Sequence, residues 1–171
     1  MPSSYVGRDQ KSIEYKLTEP GAELLDVIIN IGTWGKRWID QKQNLENTDV
    51  GLLIWDIRRG IKMDSFPLKQ ATVEFVFSDV KDAKSTWWMI LNEQSSPDVG
   101  PIEPNSPVDL YVLCTLTALT DFWLGNISST ESLSKKRIEI FGDSKLVASF
   151  KSWIGKSTFS DVENLTKSTA A

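Results

Sequence analysis

The sequence contains no histidine and a single cysteine among its 171 residues. Without histidine there are no Ser-His-Asp or Cys-His triads, no imidazole metal ligands and no imidazole base that titrates near neutral pH. One cysteine excludes a disulfide within the chain, and Cys114 lies in the apolar run VDLYVLC, where a buried hydrophobe is favoured over a nucleophile. The sequence therefore predicts a protein that is not an enzyme, with no catalytic residue, no cofactor and no metal site.

A positive net charge and long apolar runs are also lacking. The 19 basic and 23 acidic residues give a formal charge of −4, which disfavours specific nucleic-acid binding by this chain alone. No apolar run approaches the length of a bilayer span, and the N-terminal residues lack the layout of a signal peptide. We therefore expect no membrane insertion and a cytoplasmic location.

What is abundant is aromatic bulk, with seven tryptophans and seven phenylalanines. This is more than the core of one domain of this length usually needs, and it suggests that a large, flat apolar molecule is enclosed. The length fits one domain with an appendage.

Apolar spacing and capping residues predict the first elements. Residues 13–17 alternate like a short strand, and Thr18 caps a helix over about 19–42 that has a second apolar line on its flank. Asp49 caps a second, conventionally amphipathic helix.

The remaining chain predicts strands and short helices around one sheet. Residues 71–78 and 86–91 form an antiparallel pair, and 92–107, with four of the seven prolines, is predicted to be a loop. Further strands are predicted at 108–114 and 137–141. Helices are predicted after Thr115 or Thr117, at 128–134 and after Asp143. The predicted fold class is α+β: a single, mostly antiparallel four- to five-stranded sheet covered by helices and preceded by a long N-terminal helix.

Two segments carry family resemblances. The segment that begins at Val108, VDLYVLCTLTALTDFWLGNISSTESLSKKRIEIFGDSKLVASFKSWIG, resembles the C-terminal half of sterol-carrier-protein type-2 domains. Upstream, EYKLTEPGAELLDVIINIGTWGKRW resembles the wing strand and last helix of HxlR-type winged-helix regulators, some of which carry a sterol-carrier-like domain C-terminally, and LLIWDIRRGI fits the first helix of such a domain. The helix-turn-helix itself is missing, so no DNA-reading residue is carried over.

These resemblances imply a domain plan. Residues 1–46 are predicted to be a remnant of a winged-helix domain, consisting of a strand and a dimerisation helix. Residues 47–156 form a sterol-carrier-like ligand-binding domain, and 157–171 a mobile tail. The family usually has an additional short strand where this sequence has PDVGPIEPNSP, which leaves the strand count at four or five.

Sterol carrier domains hold an apolar molecule, such as a fatty acid or sterol, between sheet and helices, which implies a ligand role for inward residues. Without the resemblance, plain core is the favoured explanation for the inward sheet residues, and with the resemblance the two explanations are nearly even. Trp55 and Trp123 are the first candidates, since an indole is hard to bury fully and its N–H can orient a ligand. The full predicted set is Trp55, Val73, Phe75, Phe77, Trp88, Leu110, Val112, Leu119, Trp123, Ile138, Ile140 and Phe150.

Two arginines are candidate anchors for an anionic head group. A guanidinium binds a carboxylate in a planar two-point contact, which makes Arg58 and Arg59 suitable. The alternative is an ordinary surface ion pair of either residue with Asp56 or Asp64.

The wide apolar surface of the first helix predicts a homodimer. The predicted interface residues are Leu24, Leu25, Ile28, Ile29, Ile31, Trp34 and Trp38. The alternative is that this helix folds back on its own sheet domain. Two functions follow: non-catalytic binding of a small apolar ligand, as an effector-sensing part of a regulator, or an interaction subunit that has a vestigial pocket and pairs through this helix.

Overall fold

A five-stranded mixed sheet organises the part of the chain that the structure describes, residues 16–39, 49–81 and 84–166 of the computed structural model. The strand order is β3-β2-β1-β4-β5. β1 and β4 pair in parallel, and the other three neighbouring pairs are antiparallel. The predicted α+β class with one mostly antiparallel sheet is confirmed. The strands are β1 Gln70–Phe77, β2 Thr86–Asn92, β3 Ser95–Gly100, β4 Leu110–Cys114 and β5 Ile138–Gly142.

Five α-helices lie in the described ranges, and their starts follow the capping residues of the sequence. Thr18, Asp49, Thr115 and Asp143 each accept a backbone N–H from the first turn of the helix that follows, as predicted. None of these helices is long and apolar enough to cross a lipid bilayer. They are α1 Glu19–Trp38, α2 Val50–Gly60, α3 Leu116–Trp123, α4 Ser129–Ser134 and α5 Ser144–Trp153, with a 3-10 turn at Met63–Ser65.

The core lies between one face of the sheet and the helices α2, α3 and α5. Strand alternation sends every second residue to this inner face, so Trp87, Met89 and Leu91 of β2 are buried while Trp88 points to the other side. Phe150 and Trp153 of α5 pack edge to face in this core, with ring centroids 5.2 Å apart. Helix residues buried in this core include Ile54, Ile57, Leu119, Phe122, Leu146, Phe150 and Trp153.

The prediction of a loop over residues 92–107 is wrong in one part, because β3 occupies Ser95–Gly100. β3 is at the edge of the sheet and pairs with β2 on one side. Pro97 therefore does not interrupt a central ladder, and proline is tolerated on edge strands for this reason. The carbonyl of Pro97 accepts a hydrogen bond from the Arg58 side chain of α2.

The ends of the chain differ from the sequence expectations. α1 ends at Trp38 instead of about residue 42, with Ile39 as its C-terminal cap, and residues 40–48 are outside the described ranges. In the predicted strand at 13–17, residues 13–15 also lie outside these ranges, and Lys16 and Leu17 have no regular structure.

The predicted mobile tail starts at residue 157, and its described part, 157–166, contacts α1. The Leu165 N–H donates to the Arg37 carbonyl, and the Asn164 amide donates to the Lys36 carbonyl at 3.0 Å. Phe159 lies against Gly32, where a Cβ would come within 2.3 Å of its ring. One side of α1 is therefore held against the C-terminal segment.

Candidate functional site

Nine of the twelve predicted ligand residues lie in the hydrophobic core. Ile140 packs against that core while partly buried, whereas Trp55 and Trp88 lie elsewhere. The structure therefore brings most of the predicted set together between the sheet and the helices. Ordinary core residues have the same arrangement. The nine are Val73, Phe75, Phe77, Leu110, Val112, Leu119, Trp123, Ile138 and Phe150.

The two tryptophans predicted to be the first ligand contacts occupy different environments. Trp123 is 2% exposed, and its Nε1 donates a 2.7 Å hydrogen bond to Asp56 Oδ2. The indole N–H of Trp123 is therefore already hydrogen-bonded within the protein. Trp55 is 45% exposed on α2, and the Arg58 guanidinium lies 5.1 Å from its ring centroid.

Trp88 lies on the face of the sheet opposite the core. Its Nε1 is buried and has no hydrogen-bond partner among the described residues. Together with Ile90, Asp98 and Ile102, Trp88 lines a shallow pocket of about 220 Å³ over β2 and β3. Trp55, Trp88 and Trp123 consequently do not surround one common cavity.

Arg58 and Arg59 both have partners within the chain. The Arg58 Nε donates to the Pro97 carbonyl, which ties α2 to the edge strand β3. Arg59 forms an exposed ion pair with Asp56 at 3.5 Å. The alternative of a surface ion pair thus describes Arg59, and Arg58 helps to position β3.

A pocket of about 380 Å³ lies where the parallel strands β1 and β4 end, and we name it the strand-end pocket. Parallel pairing brings the carboxyl ends of both strands to the same edge, next to the start of α3. Its floor is largely apolar and its rim carries charges. The lining residues are Val76, Ser78, Leu113, Cys114, Thr115, Ala118, Lys136, Arg137 and Glu139.

The two cations at the rim differ in how they are engaged. Arg137 forms a part-buried ion pair with Asp121 at 2.9 Å. Lys136 is exposed, and its side chain makes no hydrogen bond or ion pair with any described residue. Lys136 closes the end of α4 in the left-handed region, with a φ of 52°, and its backbone N–H donates to the Leu133 carbonyl. This turn places an ammonium group beside an apolar floor.

Cys114 is the buried thiol of the strand-end pocket. Burial, with a smaller contribution from the Asp79 carboxylate, raises its pKa to about 12. The thiol therefore stays protonated at neutral pH and serves as apolar lining rather than as a nucleophile. Asp79 also accepts a hydrogen bond from the Leu116 N–H at 2.8 Å, so this backbone donor in the first turn of α3 already has a partner within the protein.

Within the described ranges, no group of three or more Cys, Asp and Glu side chains is placed to hold a metal ion. The strand-end pocket was not anticipated from the sequence, because it depends on which strands pair in parallel. Nothing in the sequence indicates that the apolar run before Cys114 and the lysine pair at 135–136 lie close together in the fold.

Six of the seven predicted interface residues on α1 are about half exposed or more. Ile29 is partly buried on the side that faces the C-terminal segment. Val27, which was not predicted, is 51% exposed. The six are Leu24, Leu25, Ile28, Ile31, Trp34 and Trp38.

Solved structures with a similar fold include sterol carrier protein 2 domains. Sterol carrier protein 2-like 2 from Aedes aegypti is 20% identical with a TM-score of 0.43, over 59% of this chain and 92% of that chain. The apo form of sterol carrier protein 2 from Yarrowia lipolytica is 16% identical with a TM-score of 0.44, over 60% and 87%.

A third solved structure is a stereoselective inverting sec-alkylsulfatase from Pseudomonas sp., 19% identical with a TM-score of 0.42 over 59% of this chain. This chain spans only 15% of the length of that enzyme. No protein-family model matches the sequence, and no curated protein matches it.

Proposed function

We propose that the chain binds a small apolar or lipid-like ligand without catalysis, and that the strand-end pocket is the mouth of the binding site. The observation that carries this proposal is that Cys114 and Ala118 belong both to the hydrophobic core and to the pocket lining. The pocket floor is thus continuous with the core residues predicted to line the interior. Its volume of about 380 Å³ lies within the range of small-molecule sites, about 300–1,000 Å³.

The rim supports a ligand with one anionic end, such as a fatty acid. The Lys136 ammonium has no partner among the described residues and lies next to apolar lining residues such as Leu113. A flexible lysine supplies a point charge rather than a two-point contact, so it tolerates different head groups. This proposal moves the head-group role from Arg58 and Arg59 to Lys136.

Binding is tested by titrating a fluorescent fatty-acid analogue and by native mass spectrometry of gently purified protein. We expect saturable binding and a retained ligand mass. Lys136→Gln should weaken binding of a carboxylate ligand about two- to fivefold, the factor for one exposed ion pair, and leave binding of the matching alcohol unchanged. Lys145→Gln, an exposed lysine on α5, is the control. Absence of saturable binding of any fatty acid or sterol would refute the function, and equal effects of both variants would refute the head-group role.

The finer role we propose is that of a cytoplasmic, effector-sensing part of a regulator. It rests on the resemblance of residues 13–38 to the wing strand and last helix of HxlR-type regulators, with 1–46 as the remnant, 47–156 as the ligand domain and 157–171 as the tail. The chain itself is not expected to bind DNA specifically, since its formal charge of −4 disfavours contact with phosphate backbones. A sequence-selective mobility shift at low salt would contradict this role.

A second candidate function is an interaction subunit that pairs through α1 while the pocket is vestigial. The exposed apolar face of α1 favours it, since large exposed apolar patches mark interaction sites. Sedimentation equilibrium should show a homodimer for the wild type and a monomer for the double variant Ile28→Glu with Ile31→Glu. A monomeric wild type at micromolar concentration would rule out this candidate.

A further inference from the structure

We propose that α1 pairs with α1 of a second copy in antiparallel orientation, with Glu23 of each copy beside the partner's Arg37. This inference deepens the second candidate function and rests on it. The observations that carry it are the spacing of the exposed apolar residues, the position of the docked side of the helix and the charges that flank the apolar residues.

Five exposed apolar residues of α1 follow the alternating three-and-four spacing of a helix-pairing seam. Such a seam keeps one line of side chains facing a partner helix over several turns. Each of the five is more than half exposed. We call them the α1 seam: Leu24, Val27, Ile31, Trp34 and Trp38.

The side of α1 that contacts its own chain lies opposite the seam. Gly32 packs against Phe159, Lys36 is buried, and Ile29 is partly buried. At about 100° per residue these three positions are centred on the far side of the helix from Ile31 and Trp38. A second helix can therefore reach the seam while the C-terminal segment stays in place.

The size of the exposed surface suits a second copy of the same helix. The seam and Ile28 contribute six large side chains, each about half exposed. At roughly 100 Å² each they bury about 600 Å² per chain, or about 1,200 Å² in the pair, the lower limit of a stable interface. A second copy supplies a matching partner, because its α1 is a helix of the same 20 residues with the same exposed apolar seam.

Two features select the antiparallel orientation. Both tryptophans of the seam lie in its C-terminal half, so antiparallel pairing places Trp34 opposite the partner's Leu24 and evens out the bulk, whereas parallel pairing puts tryptophan against tryptophan. In the same register Ile31 lies opposite the partner's Val27, and Glu23 beside the partner's Arg37, twice by symmetry. Glu23 and Arg37 are both exposed, and in a parallel pair they do not meet.

Charge exchange tests the orientation. Glu23→Arg and Arg37→Glu each remove two cross-pairs and create like-charge contacts, so each should weaken dimerisation about tenfold in sedimentation equilibrium at low salt. The double variant should return to within about twofold of the wild type. Asp26→Arg makes the same charge reversal at an exposed position away from the seam and should leave dimerisation unchanged.

Thiol cross-linking gives an independent readout in a Cys114→Ala background. In this register the symmetry point lies at residue 29, and Asn30 is one position away on the flank of α1 that carries Glu23 and Arg37. Two copies of residue 30 are therefore about 3 Å apart along the axis, so Asn30→Cys should cross-link to itself through a short bis-maleimide. Glu23→Cys and Arg37→Cys should cross-link when mixed but not separately, because the two copies of residue 37 lie about 24 Å apart along the axis and the two copies of residue 23 about 18 Å apart.

The outcomes separate the two claims. A dimer that shows neither rescue by the double variant nor cross-linking at residue 30 overturns the antiparallel pairing and leaves the second candidate function intact. A monomer, including one that binds lipid vesicles through α1, overturns both.

Discussion

Adding a methyl group at Gly60 tests how tightly α2 packs against α3. A Cβ built there lies 2.2 Å from Cη2 of Trp123 and 3.1 Å from Cζ2. The ring has little freedom to move, because its Nε1 is bonded to Asp56 one turn earlier on α2. Overpacking of this kind costs about 1–3 kcal/mol, and replacing glycine in a helix returns about 0.5–1 kcal/mol. We therefore expect Gly60→Ala to lower the free energy of unfolding by about 1–2 kcal/mol.

A double-mutant cycle attributes this loss to the indole. Trp123→Phe removes the outer ring carbons, so Gly60→Ala in that background should keep only the helix gain of about 0.5–1 kcal/mol. The coupling between the two changes should then equal the overpacking cost of about 1–3 kcal/mol. The assay is urea unfolding followed by far-ultraviolet circular dichroism. Gly100→Ala is the control, since the nearest atom to its added Cβ is 4.0 Å away. Equal losses from Gly60→Ala in both backgrounds would refute the reasoning.

Two further changes probe the tail and the pocket. Gly32→Ala drives a Cβ into the ring of Phe159, so it should release the C-terminal segment and speed hydrogen exchange of the Leu165 N–H. Gly35→Ala, whose added Cβ makes only an ordinary 3.6 Å contact with Ile39, should not, and unchanged exchange in Gly32→Ala would contradict the docking. Cys114→Ala tests burial of the thiol, whose folded pKa is raised to about 12. The unfolded state releases the thiol proton at a lower pH than the folded state. The wild type should therefore lose free energy of unfolding relative to the variant from about pH 9 upward, by up to about 1.4 kcal/mol per pH unit. Stability curves that stay parallel with pH would contradict burial of the thiol.

Local features of the fold were predictable because their causes lie within a few residues of sequence. Thr18 and Asp143 each bond to backbone N–H groups two or three residues ahead, and such capping is visible in the sequence. The alternation of β1 likewise fixes which residues face the core. The edge strand β3 was not predicted because a proline-rich segment can form a strand only at the edge of a sheet, where one side of the strand makes no hydrogen bonds to a neighbour. Whether a segment lies at the edge depends on how all the strands are ordered, which the local sequence does not reveal.

The candidate site was less predictable because its contacts join distant parts of the chain. Cys114 and Lys136 line one pocket because β4 pairs with β1 on one side and β5 on the other, and no local pattern encodes that pairing. The partners of Arg58 and Trp123 are likewise set by tertiary packing: the hydrogen bond between Asp56 and Trp123 joins positions 67 residues apart. The residue types of Arg58 and Trp123 therefore suggested ligand contacts, whereas in the fold both side chains bond to groups of the protein itself.

The tryptophan surplus argues for the α1 surface more than for a ligand. Three of the seven indoles are buried in the core with the N–H bonded inside the protein, to Lys84, Asp56 and Leu146. Trp34 and Trp38 are exposed on the α1 seam, and Trp55 lies exposed beneath Arg58. Trp88, with its buried N–H, lies on the face of the sheet opposite the core. None of the seven lines the strand-end pocket, so the ligand proposal depends on that pocket and on Lys136. Loss of pairing in α1 variants and loss of ligand binding in Lys136→Gln should consequently be separable.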